Sequence, residues 1–408
     1  MKKVIAFLGT FPRETTYDID GVHCTGFSFP EALSHSNVPF DRMLVFVTDK
    51  ARAQNYDTYV APLADKRIQP IDIPDGRNSA EMWDIFTKLT SVVEDGDTVI
   101  FDITHAFRSI PFFVFLALAF LKSAARDVHI ERVIYGAPEF GQPAPVIELT
   151  EFVGLLDWMS ATDQFVRNGN SQALVRELRE AAQSTRGTAT ESRRLSSIAS
   201  SLDDVSRALR LLIPDQAMSA GAQLHQELQA VNLPSYPSVR PFLPLIPRVD
   251  EAFAELALAH PRDPRAIWQS LEQERRMVFW YLERQLLLQA IALAFEWLIS
   301  FGVAHLGYET LFNGPIRTKV REHYTKLNQF RKGDRRPTMA RIREAEEAMR
   351  AIPESEQILR LFERVSHLRN DLMHASKTAH SGRTPDQRER EIRAACRELE
   401  RLPLRVER

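Results

Sequence analysis

Six consecutive residues near the C-terminal end, Arg369-Asn370-Asp371-Leu372-Met373-His374, put a fixed cation, an amide and an imidazole in one short run. An Arg guanidinium can hold a phosphate through two N–H groups, and a His can move a proton near neutral pH. Those parts suffice to cleave RNA without a metal. The pattern alone is cheap: with 11 His in 408 residues, about one Arg followed by His at that spacing is expected by accident. On a helix of about 3.6 residues per turn, Asn370 and His374 share a face, whereas Arg369 and His374 lie about 140° apart. One helix therefore does not aim both at a single phosphate. Two copies across a two-fold axis could, each supplying part of a composite site, which predicts an obligate homodimer, with higher oligomers left open. The competing reading is a surface Arg and a core-edge His. His367, seven residues before His374, reads as a packing residue.

A second set of chemically loaded residues lies in the first 150 positions, at the ends of apolar runs. Gly9, Thr10 and Phe11 follow the first run, and Thr48, Asp49 and Lys50 the second. Pro74 to Asn78 follow the third, and Asp102-Ile103-Thr104-His105-Ala106-Phe107-Arg108-Ser109 closes the fourth. Thr104, His105 and Arg108 offer hydroxyl, imidazole and guanidinium donors. Ser109 could cap a following helix, whose free N–H groups favour an anion. There is no G-x-G-x-x-G and no P-loop, which argues against a standard dinucleotide or triphosphate site. The bland alternative is that Thr104 and His105 only cap a loop.

These residues need elements to hold them. Val4–Leu8, Met43–Val47, Ile68–Ile73, Thr98–Ile103 and Ile130–Tyr135 read as strands, with Val146–Leu149 a short edge strand. Helices are expected over Ser79–Val93 and Ser109–Ala125. Short apolar runs separated by helices indicate a mostly parallel sheet covered on both faces, an open Rossmann-like α/β domain over residues 1–150. Ligands bind such sheets beyond the carboxyl ends of the strands, where strand order reverses. From Glu151 onward only helical patterns remain. They cover 151–168, 171–184, 191–212 and 217–230, then 309–331, 338–350, 354–375 and 385–401. Arg265–Phe301 is one long helix or two. Pro234, Pro237, Pro241, Pro244 and Pro247 read as a non-helical connector. The expected division is 1–150, a helical linker or dimerisation region over 151–260, and a helical domain over 261–408: α/β, then all-α.

Bulk properties exclude little. The net charge is −2, but residues 1–150 carry 14 Lys+Arg against 20 Asp+Glu, whereas residues 317–408 carry 23 against 15. A basic C-terminal third can attract a polyanion, although solvated basic helices are the default reading. Phe330 to Pro337 reads as an exposed basic loop, more often solvated than an RNA clamp. Cys24 and Cys396 can build neither a disulfide framework nor a zinc site, which suits a reducing cytoplasm. No metal is expected. Ile110–Leu121, the strongest apolar stretch, is too short to span a bilayer, so no membrane partner is expected.

Asp102-Ile103-Thr104-His105-Ala106-Phe107-Arg108-Ser109-Ile110-Pro111 resembles the D-I-T-H-G-F-R-x-x-P signature of CRISPR-associated Rossmann-fold (CARF) domains, with Ala106 in place of Gly. Phe7-Leu8-Gly9-Thr10 and Ile73 to Phe86 are similar to that family's flanking motifs. The resemblance implies a sensor for cyclic oligoadenylate, an allosteric activator made by type III CRISPR complexes, with cyclic tetra-adenylate ahead of cyclic hexa-adenylate. Gly9, Thr10, Phe11, Thr48, Asp49, Asn78, Asp102, Thr104, His105, Ala106, Arg108 and Ser109 are its candidate contacts, and no other cofactor is implied. R-N-x-x-x-H resembles the signature of HEPN ribonucleases, helical domains that work as dimers on single-stranded RNA without a metal. By that likeness Arg369 stabilises the phosphate, His374 serves proton transfer or charge stabilisation, and Asn370 orients them. Gln289 to Trp297 resembles an earlier helix of that family. It makes Glu296 a candidate facing the basic site, with a solvated helix Glu as the equal alternative. Two further readings stay open: a ligand-responsive regulator that binds nucleic acid or protein without cutting, and a sensor that slowly cleaves its own ligand through Thr10, Thr104 and His105.

Overall fold

A computed structural model describes residues 1–105, 110–123, 127–184, 189–230, 239–333, 337–374 and 384–404. Contacts divide the chain into two units, Met1–Asp157 and Trp158–Arg408. In the first, the strands are β1 (Lys2–Phe7), β2 (Thr15–Ile19), β3 (Val22–Gly26), β4 (Arg42–Val47), β5 (Ile68–Asp72), β6 (Thr98–Asp102), β7 (His129–Gly136) and β8 (Ala144–Glu148). The helices are α1 (Phe29–Ser34), α2 (Asp49–Ala51, continued by a π-helical stretch Arg52–Val60), α3 (Ser79–Ser91) and α4 (Ile110–Ser123).

The sheet runs β3-β2-β8-β7-β6-β1-β4-β5. Pairing is parallel from β7 through β6, β1 and β4 to β5, and antiparallel between β7 and β8 and between β2 and β3. Along β1 and the residue after it, Val4, Ala6 and Leu8 enter the core on one face, while Ile5 and Phe7 enter the other. β4 repeats the alternation with Met43, Val45 and Val47 against Leu44 and Phe46. Both faces are thus apolar and buried, the condition under which near-continuous hydrophobic strands are stable. From β1 the chain reaches β4 and β5 on one side, then crosses back to β6 on the other. The strand order reverses around β1, the place where open α/β sheets form a crevice beyond the carboxyl ends of their strands.

Two departures from the expected strands occur here. The hairpin β2–β3 was not among them, although Asp20 and Gly21 at its tip both take positive φ, 52° and 81°, as a two-residue hairpin turn requires. β8 is an inner strand, because β2 pairs alongside it and covers its free side. The sheet is therefore mixed at one end.

The second unit is helical. Helix α5 (Thr150–Asn168) contains the division point and is followed by α6 (Gln172–Ser184), α7 (Ala189–Arg210), α8 (Pro214–Gln229) and α9 (Ile246–Ala254). Then come α10 (Ile267–Glu283), α11 (Leu287–His305), α12 (Gly314–Arg331), α13 (Met339–Arg350), α14 (Ser355–Met373) and α15 (Pro385–Arg397). Arg265–Phe301 resolves into two helices, broken where Gln285 takes φ 59°. The proline connector is partly helical, contrary to expectation: Pro244 sits in a 3₁₀ turn, Leu243–Leu245, and Pro247 in the first turn of α9. A first-turn residue has no intrahelical use for its N–H, so proline costs nothing there. Pro234 and Pro237 lie outside the described residues.

Among the described residues one helix, α11, is long and apolar enough to cross a membrane, and 72% of its most apolar window is buried. It packs against α10, α12, α14 and α15. Ala290, Ile291, Ala294, Trp297, Leu298 and Phe301 are fully covered, so the centre of this core accounts for its composition. Residue for residue α4 is more apolar still, but it is shorter.

Candidate functional site

In the first unit the crevice residues are tied to backbone. Asp102, buried at the end of β6, accepts the Thr104 N–H through Oδ1 at 2.8 Å. Thr104 Oγ1 accepts the Gly136 N–H at the end of β7, also at 2.8 Å. His105 Nε2 accepts the Phe29 N–H at the start of α1, 3.1 Å away. Gly9 packs on His105: a Cβ built on the glycine would lie 3.5 Å from the His105 carbonyl oxygen. Asn55 donates its amide to the Gly9 carbonyl at 3.3 Å. The fold thus brings Gly9, Asp102, Thr104 and His105 together around the switch point.

The electrostatics of this group are unusual. Burial pushes Asp102 up to about 7, against hydrogen bonds from Thr104 that pull it down, and its Oδ2 has no partner among the described residues. Burial also pushes the His105 imidazole down to about 4. A neutral ring suits Nε2 as an acceptor, leaving the proton on Nδ1.

The other expected contacts are more scattered. Thr48 is buried and caps α2, accepting the Ala51 N–H at 3.3 Å, with Asp49 exposed beside it. Thr10 is half-buried. Phe11 is 84% exposed, with the Lys50 ammonium 5.9 Å from its ring centre. Asn78 follows β5, the outermost strand on its side. Its side chain caps α3, accepting the Glu81 N–H at 3.0 Å and donating to the Glu81 carboxylate at 2.9 Å. The cap is a local task for this side chain. Ala106, Arg108 and Ser109 lie outside the described residues. Asn55 was missed by sequence reading, since a lone Asn carries no spacing signal.

In the second unit the hexapeptide ends α14. The apolar stripe of that helix, Ile358, Leu361, Phe362, Val365 and Leu368, leaves Arg369 at its edge and turns Asn370 and His374 outward. Arg369 is half-buried, its guanidinium 4.7 Å from the centre of the Phe295 ring. Phe295 in turn stacks on Phe362 at 5.2 Å. A cation on an aromatic face is held without losing its charge. Arg369 Nη1 also donates to Asn370 Oδ1 at 3.3 Å. His374 caps the helix, its N–H bonded to the Asn370 carbonyl at 2.9 Å, and its side chain is exposed.

Glu296, next to Phe295 on α11, is half-exposed and pairs with Arg317 of α12 at 2.8 Å. Arg317 was not anticipated. It also donates to the Ser300 hydroxyl and the Leu311 carbonyl, each at 2.8 Å, so its fork is occupied. Arg369, Glu296 and Arg317 line one cavity of about 670 Å³. His374 is not among its lining residues. His367, expected to pack, is 72% exposed beside Glu363, because its position faces away from the stripe. Of the expected basic loop, Arg331 ends α12 and pairs with Glu356, and Lys332 pairs with Glu363. Residues 334–336 lie outside the described ones.

These two arrangements describe an α/β unit with polar groups gathered at its strand ends and a helical unit with an accessible Arg–Asn–His cluster. No family model matches the chain. Over 103 residues it is 35% identical to a CRISPR-associated protein of Methanocaldococcus jannaschii. The match covers 24% of this chain and 16% of that protein. The chain is therefore related, over about a quarter of its length, to a CRISPR-associated protein.

Proposed function

We propose that this protein is a CARF–HEPN endoribonuclease of type III CRISPR antiviral defence, active on single-stranded RNA without a metal and switched on by a cyclic oligoadenylate, cyclic tetra-adenylate first. The single observation that carries this reading is the placement of Arg369. It is fixed on Phe295 beside Glu296, with Asn370 bonded to it and His374 exposed at the same helix end. The CRISPR-associated relative and the Asp102–His105 crevice support it.

In the proposed reaction the 2′-hydroxyl attacks the adjacent phosphorus, and the O2′–P bond forms as the P–O5′ bond breaks. The proton leaving O2′ is balanced by one reaching O5′, giving a 2′,3′-cyclic phosphate and a 5′-hydroxyl. Arg369 stabilises the charge that builds on the phosphate oxygens, and His374 serves proton transfer or charge stabilisation. DNA lacks the attacking hydroxyl and should survive. Because Arg369 and His374 diverge around α14, the active form is a homodimer that pools two copies.

Part of the surface suits self-association. Phe112, Phe115, Leu116 and Phe120 line one exposed face of α4, and Trp83 of α3, 67% exposed, stands beside them. Exposed apolar faces of this kind mark protein–protein contacts.

The test is to incubate the purified protein with labelled single-stranded RNA, or matched DNA, and cyclic tri-, tetra- or hexa-adenylate, with and without EDTA. RNA cleavage that needs one ring, survives EDTA and spares DNA is expected. RNA bound but never cut would replace this reading with a non-catalytic regulator.

A further inference from the structure

The cavity beside Arg369 holds more chemistry than phosphate handling requires. Its mouth is apolar and open: Leu288 is 44% exposed, Phe312 39% and Met373 57%. Its floor is polar and closed, with Glu274 at 5% exposure and Ser300 at 1%. Arg317 donates to Ser300, and Ser300 in turn bonds the Glu274 carboxyl. That directional chain leaves Ser300 spent and Arg317 committed to Ser300, Leu311 and Glu296. What remains is acceptor capacity: a carboxylate offers about four lone-pair sites and one hydroxyl occupies one of them. Burying such a group is costly unless donors reach it. Glu274 nevertheless faces an open cavity of about 670 Å³.

A flat ligand with an apolar body and two adjacent donors on one edge fits these requirements. Unpaired RNA bases are read in this way, body against apolar side chains and Watson–Crick edge on polar groups. The N1–H and N2–H of guanine form the donor pair that matches a carboxylate. We propose that the cavity is a base pocket, in which Glu274 reads a guanine next to the phosphate held by Arg369. This rests on the ribonuclease reading above. Leu293, Ala292 and Phe312 supply the walls, and Arg317 acts as a positioning residue through Ser300.

The experiment maps cuts in a randomised single-stranded RNA library, using full-length protein activated by cyclic tetra-adenylate. Wild type is expected to cut beside guanine. Glu274→Gln, which puts an amide donor in place of a carboxylate oxygen, should lose about tenfold of that preference. Ala292→Phe, which fills the cavity mouth, should abolish the preference without touching Glu274. The same proteins are dialysed against GMP, AMP and CMP without activator. GMP retained by wild type and released by both variants supports the pocket. Cuts indifferent to base, adenine preference, or identical patterns in wild type and Glu274→Gln overturn it. If wild type cuts no RNA with any ring, the ribonuclease reading fails, and the dialysis still decides the pocket: GMP bound no better than CMP ends it.

Discussion

The strand-end crevice and the α14 cluster hold their polar groups in opposite ways. In the crevice, the side chains of Asp102, Thr104 and His105 each accept a backbone N–H, and the Gly9 carbonyl accepts the Asn55 amide. The arrangement is finished within one chain. In the α14 cluster Arg369 is anchored on Phe295 and bonded to Asn370, while the side chains of Asn370 and His374 are exposed. On the proposed reading, a binding crevice has to exist before its ligand arrives, whereas a nuclease that must stay silent benefits from a site one chain cannot complete. Each region also contains one buried carboxyl pushed by burial to about 7, Asp102 in the first and Glu274 in the second.

The sharpest way to break this contrast is at the cluster. His374→Ala should lower activator-stimulated RNA cleavage by roughly 10²–10⁴-fold with folding unchanged by circular dichroism. Arg369→Lys should lose most of the rate too, since an ammonium cannot present a planar fork or lie flat on Phe295. Activity surviving His374→Ala would mean that the accessible cluster is decoration.

The proposed completion in trans can be broken separately. A charge on the exposed face of α4, Leu116→Glu or Phe112→Glu, should weaken self-association by about 10²-fold, read by light scattering across a dilution series. That estimate takes about 2–3 kcal/mol for a charge forced against an apolar partner. RNA cleavage per chain should then depend on protein concentration, while ligand binding in the crevice should not require the partner's cluster. A variant that remains dimeric and active would remove this face from the dimer.

The paired carboxyls sharpen the comparison through pH. An acid whose folded value lies above its unfolded one keeps its proton longer when folded, so stability falls as pH rises between the two values. For Asp102 that window runs from about 3.8 to about 7, and for Glu274 from about 4.5 to about 7. Asp102→Asn and Glu274→Gln should each remove that loss. Their stability relative to wild type should therefore grow from pH 4 to 7 and level off above, by at most about 3–4 kcal/mol. Urea unfolding at pH 5 and pH 8 measures it. A difference that shrinks with rising pH would place partners on these carboxyls.

The smallest expected effect concerns His105. Held neutral, with burial pushing it down to about 4, it should not titrate in the physiological range. The activator concentration for half-maximal cleavage should carry no inflection near pH 6.5 from this residue. His105→Ala should raise that concentration by about tenfold, the worth of one good hydrogen bond to the ligand. Unstimulated cleavage should not change.

Much of this was legible beforehand where the information is local. β1, β4, β5, β6 and β7 follow from apolar runs of strand length, and α14 from its stripe at helical spacing. The β2–β3 hairpin was equally readable, since Asp20-Gly21 between alternating residues is a strong turn signal that the search for a parallel sheet passed over. Glu274 also left a trace: it falls in phase with Leu271, Val278 and Tyr281 on α10, all buried, and a charge on an apolar stripe is seldom idle. Asn78 shows the ambiguity of such a position: a residue after a strand can serve a crevice or cap the next helix, and its contact with Glu81 establishes the cap.

Residue spacing alone thus determined the α/β unit, the helical unit and the angular separation of Arg369 from His374, because strand and helix periods are properties of the backbone. It could not reveal that β8 lies inside the sheet, that Phe295 carries Arg369, or that Arg317, Ser300 and Glu274 meet at a cavity floor. Those facts join residues tens of positions apart, and only packing of the folded chain chooses among the many pairings that local pattern permits.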